Sequence, residues 1–401
     1  MVSFNDYSGR EQSYVKHVFL ESYLERLVHK VASKYAKIAY IDGFAGPWQS
    51  ANERFEDTSF GIALNALRRA RASWKAKQRD VRMFAFLVEQ DQVAYQRLAG
   101  VPAKYPDVSI RTYNDDFMKV FTSIVRSIPE QDTFAFFLLD PKGWRIPLRS
   151  LQPLLARPNS EIVFNFMFDF INRAASMKDP SISAGLNELI PFGDWRERLE
   201  AVERAGVANP EVRKGILIDG FSESLKRLGN YEYVAETTVL RPLKDRPLYC
   251  LFYATRHPRG IEVFRDCQVA ALEAESNTRA AAKVQHTARA TGQGELFESL
   301  HDMAPDKLKA FLQDEVVRAE KTIIELAPAS PRFISYGVLR ARVQARHIVR
   351  FPDVNGIAAR LRRENRLLFP DWEKGKKVPQ PLYRTQRGQS DRTNGTTHKQ
   401  G

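Results

Sequence analysis

The sequence predicts an α/β protein: a mostly parallel sheet with helices on both faces, followed by a smaller helical unit that ends in a basic hairpin. Three observations carry this. Five short, mostly apolar runs (Ile38–Ile41, Met83–Val88, Val108–Tyr113, Phe134–Leu139 and Glu161–Phe166) alternate with helical stretches. Strands apolar on both faces belong to parallel sheets covered on both sides. Four of these runs end in an acid or in a turn rich in acid and glycine, and in open α/β sheets the carboxyl ends of the strands form the ligand crevice. Finally, residues 301–401 hold 20 Lys/Arg against 11 Asp/Glu, while the first 300 hold 41 against 37, so most of the excess charge is local.

In chain order, Ser13–Val31 has a helical stripe of Val15, Val18, Phe19, Leu24, Leu27, Val28 and Val31. The strand Ile38–Ile41 runs into Asp42-Gly43-Phe44-Ala45-Gly46-Pro47, and Gly61–Arg71 reads as a helix. Met83–Val88 ends at Glu89, with a helix over Gln92–Leu98. Val108–Tyr113 ends in Asn114-Asp115-Asp116, with a helix over Met118–Ser127. Phe134–Leu139 ends in Asp140-Pro141-Lys142-Gly143-Trp144, and Glu161–Phe166 follows. Asn172–Asn230 reads as mostly helical, broken at Pro191-Phe192-Gly193 and Asn209-Pro210. Tyr231–Leu240 and Leu248–Thr255 form a strand pair that closes the sheet. Helix then runs from Gly260 toward a linker around Thr287–Glu295.

Beyond Ala304 the pattern changes. Lys307–Leu326 is a helix, Phe333–Arg346 holds a short strand and a second helix, and Asp353 can cap a third. Leu367–Trp372 and Val378–Thr385 read as a β-hairpin around the turn Glu373-Lys374-Gly375-Lys376-Lys377. That order is the order of a winged helix-turn-helix. The expected division is an α/β domain at 1–270, a helical connector at 271–303, the winged unit at 304–387 and a disordered tail at 388–401.

Composition bounds the function. A chain of 401 residues suits two or three folded units, and 43% hydrophobic residues exclude wholesale disorder. No apolar run approaches the roughly 20 residues needed to cross a bilayer, and the first residues lack a secretion signal's apolar stretch. Cys250 and Cys267 cannot build a disulfide framework or a cysteine zinc site, and no histidine pair has metal-ligand spacing, so a cytoplasmic protein without a structural metal is expected. The net charge of +13 points to nucleic acid as the acidic partner, with DNA favoured over RNA. Arg342, Arg346, Arg362, Arg363, Lys374, Lys376 and Lys377 are the expected phosphate contacts; solvated faces are the plainer alternative.

At the strand tips, glycines in Asp42–Pro47 allow close backbone approach to a ligand, or form an ordinary βα turn. Glu89 suits the two hydroxyls of a ribose. Asp115 or Asp116 could accept from an adenine amino group, although Asp116 also suits a helix cap. Asp140, Pro141 and Trp144 are the candidate reacting centre: the acid orients an exocyclic amine, the proline fixes the backbone and the indole stacks on a flat substrate. A tight turn with a buried tryptophan is the alternative.

Together, Ile41–Pro47, Glu89, Asp140–Gly143, Glu161–Met167, and Leu251–Thr255 with His257 and Gly260-Ile261-Glu262 resemble the three-Cys-motif partner (TcmP) family. The resemblance covers about residues 10–270. It implies a Rossmann-like class I S-adenosylmethionine (SAM) methyltransferase fold, often with a C-terminal winged helix. It further implies SAM at Asp42–Gly46 and Glu89, Asp140 near the methyl, and a genetic partner of radical-SAM type carrying a three-cysteine motif. Trp48 stands where the family usually has glycine, and Lys142 replaces the second proline of the Asp-Pro-Pro-aromatic signature of nucleobase amino-methyltransferases. Neither cysteine follows a proline, which disfavours cytosine-C5 chemistry. The expected function is therefore nitrogen methylation of nucleic acid, with a catalytically silent SAM-binding, DNA-binding partner protein as the alternative.

Overall fold

The computed structural model describes residues 7, 11–46, 50, 55–241, 244–291 and 298–388. Pro47, Trp48 and, apart from Gly388, the expected disordered tail lie outside the described residues. The main sheet has seven strands: β1 (Lys37–Asp42), β2 (Arg82–Val88), β3 (Ser109–Tyr113), β4 (Thr133–Leu139), β5 (Ser160–Phe166), β6 (Tyr233–Arg241) and β7 (Lys244–Thr255). Their order is β3-β2-β1-β4-β5-β7-β6. The first five are parallel, and β7 runs antiparallel between β5 and β6. This mixed α/β sheet has the strand order typical of class I methyltransferases, as the resemblance implied.

Helix α1 (Glu11–Ala32) precedes the sheet and α2 (Ser59–Ala76) follows β1. Helices α3 (Gln92–Leu98) and α4 (Val101–Lys104) join β2 to β3, α5 (Phe117–Ser127) follows β3, and α6 (Gln152–Leu155) follows β4. Four helices separate β5 from β6: α7 (Phe168–Ala175), α8 (Pro180–Leu189), α9 (Trp195–Arg204) and α10 (Pro210–Gly229). Helix α11 (Pro258–Thr291) leaves β7 and runs unbroken through the first part of the expected connector. Side-chain caps set several of the helix starts, including Thr58 for α2, Asp91 for α3 and Asn209 for α10, each accepting from an N–H of the first turn.

Every residue of β4 is buried, because successive side chains enter opposite cores. Phe134, Phe136 and Leu138 pack with Phe19, Tyr23, Leu64 and Phe264 under α1, α2 and α11. Phe137 and Leu139 pack with Phe117, Leu151 and Phe221 on the other face. A continuous apolar run is what a doubly covered central strand requires.

The C-terminal unit contains α12 (Glu298–Leu326), β8 (Ile334–Ser335), α13 (Tyr336–Arg346), α14 (Phe351–Arg363), β9 (Leu367–Leu368) and β10 (Arg384–Arg387). Its small antiparallel sheet has the order β8-β10-β9. Two expectations need correction. The strands of the basic hairpin are shorter than expected, since Pro379 and Pro381 cannot donate to a ladder and pairing begins only at Arg384. Asp353 is not the first residue of α14; it sits in the first turn and caps from there, its carboxylate accepting from the Arg350 N–H at 2.9 Å.

The two units are bolted together by arginines. Arg265 of α11 is fully buried; Nε donates to Gln344 O at 2.5 Å and Nη2 to Ala345 O at 3.1 Å. These carbonyls close the last turn of α13, the negative end of its dipole. Burial pulls the Arg265 pKa down to about 10. Nearby, Arg340 of α13 forms a buried ion pair with Glu262 of α11. Ala341 of α13 joins the core beneath α11.

Candidate functional site

Strand β1 lies between β2 and β4, and Asp42 is in register with Leu87 and Leu138. Glu89 and Asp140 each stand two positions beyond those partners. The three carboxylates therefore occupy the tips of three adjacent parallel strands spaced about 4.8 Å apart. They flank the point where the strand order reverses, between β1 and β4.

Asp42 is fully buried. Its Oδ1 accepts from the Phe44 N–H at 3.1 Å, and its Oδ2 from Ser59 Oγ at 2.7 Å and Tyr40 Oη at 3.0 Å. Desolvation dominates over these donors and raises its pKa to about 6. The turn that follows is held internally: Gly43 N–H donates to Leu138 O and Ala45 N–H to Val88 O. A side chain at Gly43 would meet Phe117 and Leu139 at about 3 Å, and Phe44 packs on Phe117 with ring centres 5.7 Å apart. The expectation of backbone donors turned toward a ligand is thus not met at Gly43, Phe44 and Ala45. Their N–H groups tie β1 to its neighbours and to Asp42; Gly46 is half-buried at the end of the turn.

Glu89 is 4% exposed, and its Oε1 accepts from the Asp91 N–H at 2.7 Å. Burial raises its pKa, opposed by that hydrogen bond and by the Lys142 ammonium across the crevice. Asn114 donates to Glu89 O at 2.9 Å, joining β3 to β2. Asp116 caps α5 through the Met118 N–H at 2.8 Å, and Asp115 accepts from Asp116 N–H at 2.7 Å. Asp116 therefore takes the capping alternative.

At the tip of β4, Lys16 of α1 forms an ion pair with Asp140 Oδ2, and Asn165 of β5 donates to Oδ1. Burial alone would raise the Asp140 pKa; Lys16, Asn165 and the nearby His17 reverse the sign and hold it low. His17 is itself buried, with Nδ1 2.8 Å from Tyr7 Oη. Gly143 has φ +136, a conformation that favours glycine. Trp144 leans on α8, where a side chain at Gly185 would meet its ring at 2.6 Å. The indole is half-buried there, and Arg145 lies over it, 5.6 Å from the ring centre. Lys16, His17 and Asn165 are not among the expected site residues; the signal for the first two is a Lys-His pair set between Val15 and Val18 of an apolar stripe.

The remaining candidates lie elsewhere. His257 follows β7, which runs against the parallel strands, so it sits at the edge opposite the crevice; its Nδ1 accepts from the Arg259 N–H at 3.1 Å. Cys250 and Cys267 are buried, and burial pushes both thiols up, away from nucleophilic use. In the C-terminal unit, Arg342 pairs with Glu232 at 3.1 Å and Arg362 stacks on Trp372 at 4.1 Å. Arg346, Arg363, Lys374, Lys376 and Lys377 are exposed. Among the described residues, no group of three or more His, Cys, Asp or Glu is arranged to hold a metal, and no helix is long and apolar enough to cross a membrane.

No family model matches this chain, so the three-Cys-motif partner resemblance rests on its quoted residues alone; no curated protein matches it either. Solved structures similar to it include protein LPL1258 from Legionella pneumophila, with 11% identity, 65% of this chain and 90% of that chain covered, and a TM-score of 0.35. Another is the O-methyltransferase TomG from Streptomyces achromogenes in complex with SAM, with 12% identity, coverage of 59% and 79%, and a TM-score of 0.31. A third is a loganic acid methyltransferase with SAH, with 8% identity, coverage of 77% and 90%, and a TM-score of 0.29.

Proposed function

We propose that this chain is a SAM-dependent methyltransferase that acts on a nitrogen of nucleic acid, with a C-terminal winged helix-turn-helix supplying affinity. One observation carries the reading: Asp42, Glu89 and Asp140 share the tips of adjacent parallel strands at the switch point of the sheet. The donor set suits an adenosine-bearing sulfonium. Glu89 is a buried carboxylate at the tip of β2, anchored through Oε1, and its other oxygen suits the paired hydroxyls of a ribose. Asp42 acts one step removed, by bracing the turn through the Phe44 N–H.

SAM, when bound, supplies an electrophilic methyl group. The chain's contribution is orientation and electrostatics. Asp140 stays ionised beside Lys16, and each of its oxygens keeps a further lone pair able to accept from an exocyclic amine. Lys16 and Asn165 fix the carboxylate's direction. For the C-terminal unit, the element order from α12 to β10, with β10 between β8 and β9, supports the winged-helix reading of 304–387 beside an α/β domain at 1–270. The exposed Lys374, Lys376 and Lys377 form its basic tip.

A second reading has a specific observation behind it. Both Asp140 oxygens already have partners, and Lys142 lies close enough to influence Glu89. These features favour a catalytically silent SAM- and DNA-binding partner of a three-cysteine radical-SAM-type protein. Calorimetric titration with SAM and with NAD, followed by radiolabelled methyl transfer screened over DNA, RNA and that partner, tests both. Saturable SAM binding with label in nucleic acid, abolished by Asp140→Ala, supports the enzyme. SAM binding without transfer supports the silent partner, and NAD binding without SAM binding overturns both.

A further inference from the structure

Asp169, three residues beyond the end of β5, is 3% exposed and is gripped by three guanidinium groups. Arg241 and Arg246 each approach it at 2.7 Å, from the end of β6 and the start of β7, and Arg173 approaches at 3.2 Å from one turn along α7. Burial would raise the Asp169 pKa, but the arginines more than offset it and hold the group ionised. One carboxylate neutralises one of the three cations. Among the described residues these three guanidinium groups share that one acid, so positive charge is in excess at this spot. The arginine side chains are 52%, 38% and 54% exposed, so their outer donors face solvent while the inner ones are fixed. A planar fork held in this way suits phosphate oxygens.

A second observation is independent of charge. Phe170, next to Asp169, is 47% exposed, and the Arg173 guanidinium lies 4.9 Å from its ring centre. An exposed aromatic ring beside clustered arginines is the pairing that binds unpaired bases and their backbone. The location is also meaningful. Asn165, which donates to Asp140, is four residues before Asp169 and is in register with Leu251, five residues beyond Arg246.

We propose that Arg173, Arg241 and Arg246, organised by Asp169, bind the phosphodiester backbone of a single-stranded nucleic acid while Phe170 stacks on one of its bases. This surface lies on the α/β domain itself, apart from the C-terminal basic tip. It deepens the methyltransferase reading by assigning the acceptor-strand site, yet its binding requires no SAM.

The test is titration of the full chain with fluorescent single-stranded DNA and RNA oligonucleotides across salt concentrations, without SAM. SAM affinity, measured separately, reports on the methyltransferase reading. The variant Arg241→Gln/Arg246→Gln should weaken oligonucleotide binding at least tenfold and reduce the log–log salt slope by about 1.4. Phe170→Ala should weaken it about tenfold or more while leaving the slope unchanged. Photocrosslinking of a halogenated-uracil strand to wild-type protein should label the peptide containing Phe170, which keeps the test decisive if the double variant misfolds. Unchanged affinity in folded variants, a crosslink confined to the C-terminal unit, or equal competition by inorganic phosphate alone or an acidic peptide would overturn the proposal.

Discussion

Lys16, in the first turns of α1, forms an ion pair with Asp140 at the tip of β4, 124 positions further along the chain. The contact makes the opening helix part of the crevice wall and keeps an otherwise desolvated carboxylate charged. Asn165 holds the other oxygen, so the group is fixed in direction as well as in charge.

Replacing Lys16 with Met leaves Asp140 mostly buried without its cation. The expected destabilisation at neutral pH is about 2 kcal/mol, since the pair is largely shielded from solvent. In the wild type, the depressed Asp140 pKa adds stability above the unfolded value of about 3.9, and this is lost as pH falls below it. In the variant, burial without the cation raises the folded-state pKa, so this acid-side loss should shrink or reverse. Urea melts over an acid pH series check both statements.

Asp42 should show the opposite dependence. Its folded pKa of about 6 lies above the unfolded value, so the folded state holds the proton more tightly. Stability is therefore lost as pH rises from about 4 to 6, by about 3 kcal/mol. Asp42→Asn, which can still accept from the Phe44 N–H, should flatten this slope and raise stability at pH 7. A slope unchanged by the substitution would assign the titration elsewhere.

The Glu262–Arg340 pair holds the C-terminal unit against α11 with both side chains buried. Glu262→Gln or Arg340→Met alone should cost about 3–5 kcal/mol, because one charge is stranded without its partner. Changing both together should cost less than the sum. Calorimetry should show the small unit melting earlier in the single variants.

Gly260 begins α11 against the hydrogen-bonded cluster of Tyr23, Glu161, Tyr253 and Thr255. A Cβ there would lie 2.3 Å from Tyr253 Oη and 2.6 Å from Glu161 Oε1. Gly260→Ala should destabilise by about 1–3 kcal/mol through overpacking, with little effect on SAM affinity because the cluster lies at the far edge of the sheet. Thermal melting and SAM titration separate the two effects.

The parallel strands and their acidic tips were legible because burial on both faces forces unbroken apolar runs, and each run ends where the chain leaves the sheet. The partners of those acids were not. Lys16 and Asn165 reach Asp140 from elements far apart in sequence, and no local pattern encodes such a meeting. Asp169 and Arg173 lie in a stretch whose periodicity loosens, while Arg241 and Arg246 lie between two expected strands more than 70 positions beyond Asp169, so no local pattern joins them. The basic residues of the C-terminal unit are expected as phosphate contacts or solvated faces, yet Arg342 and Arg362 meet Glu232 and Trp372, partners that only the folded chain brings near. The hairpin strands are shorter than the sequence suggests because Pro379 and Pro381 withhold the N–H groups that pairing needs.

Strand β7 runs against its neighbours, and this reversal puts Arg241 and Arg246 at one rim of the sheet. Were β7 parallel, its first residues would start at the opposite rim, about 20 Å from the acids. As built, a segment that enters the sheet late is returned to the rim where the chain's earliest strand terminates. Changes at Arg241 and Arg246 therefore fall on the same rim as Asp42 but beyond β4 and β5, so they alter the charge there without touching β1 or β2.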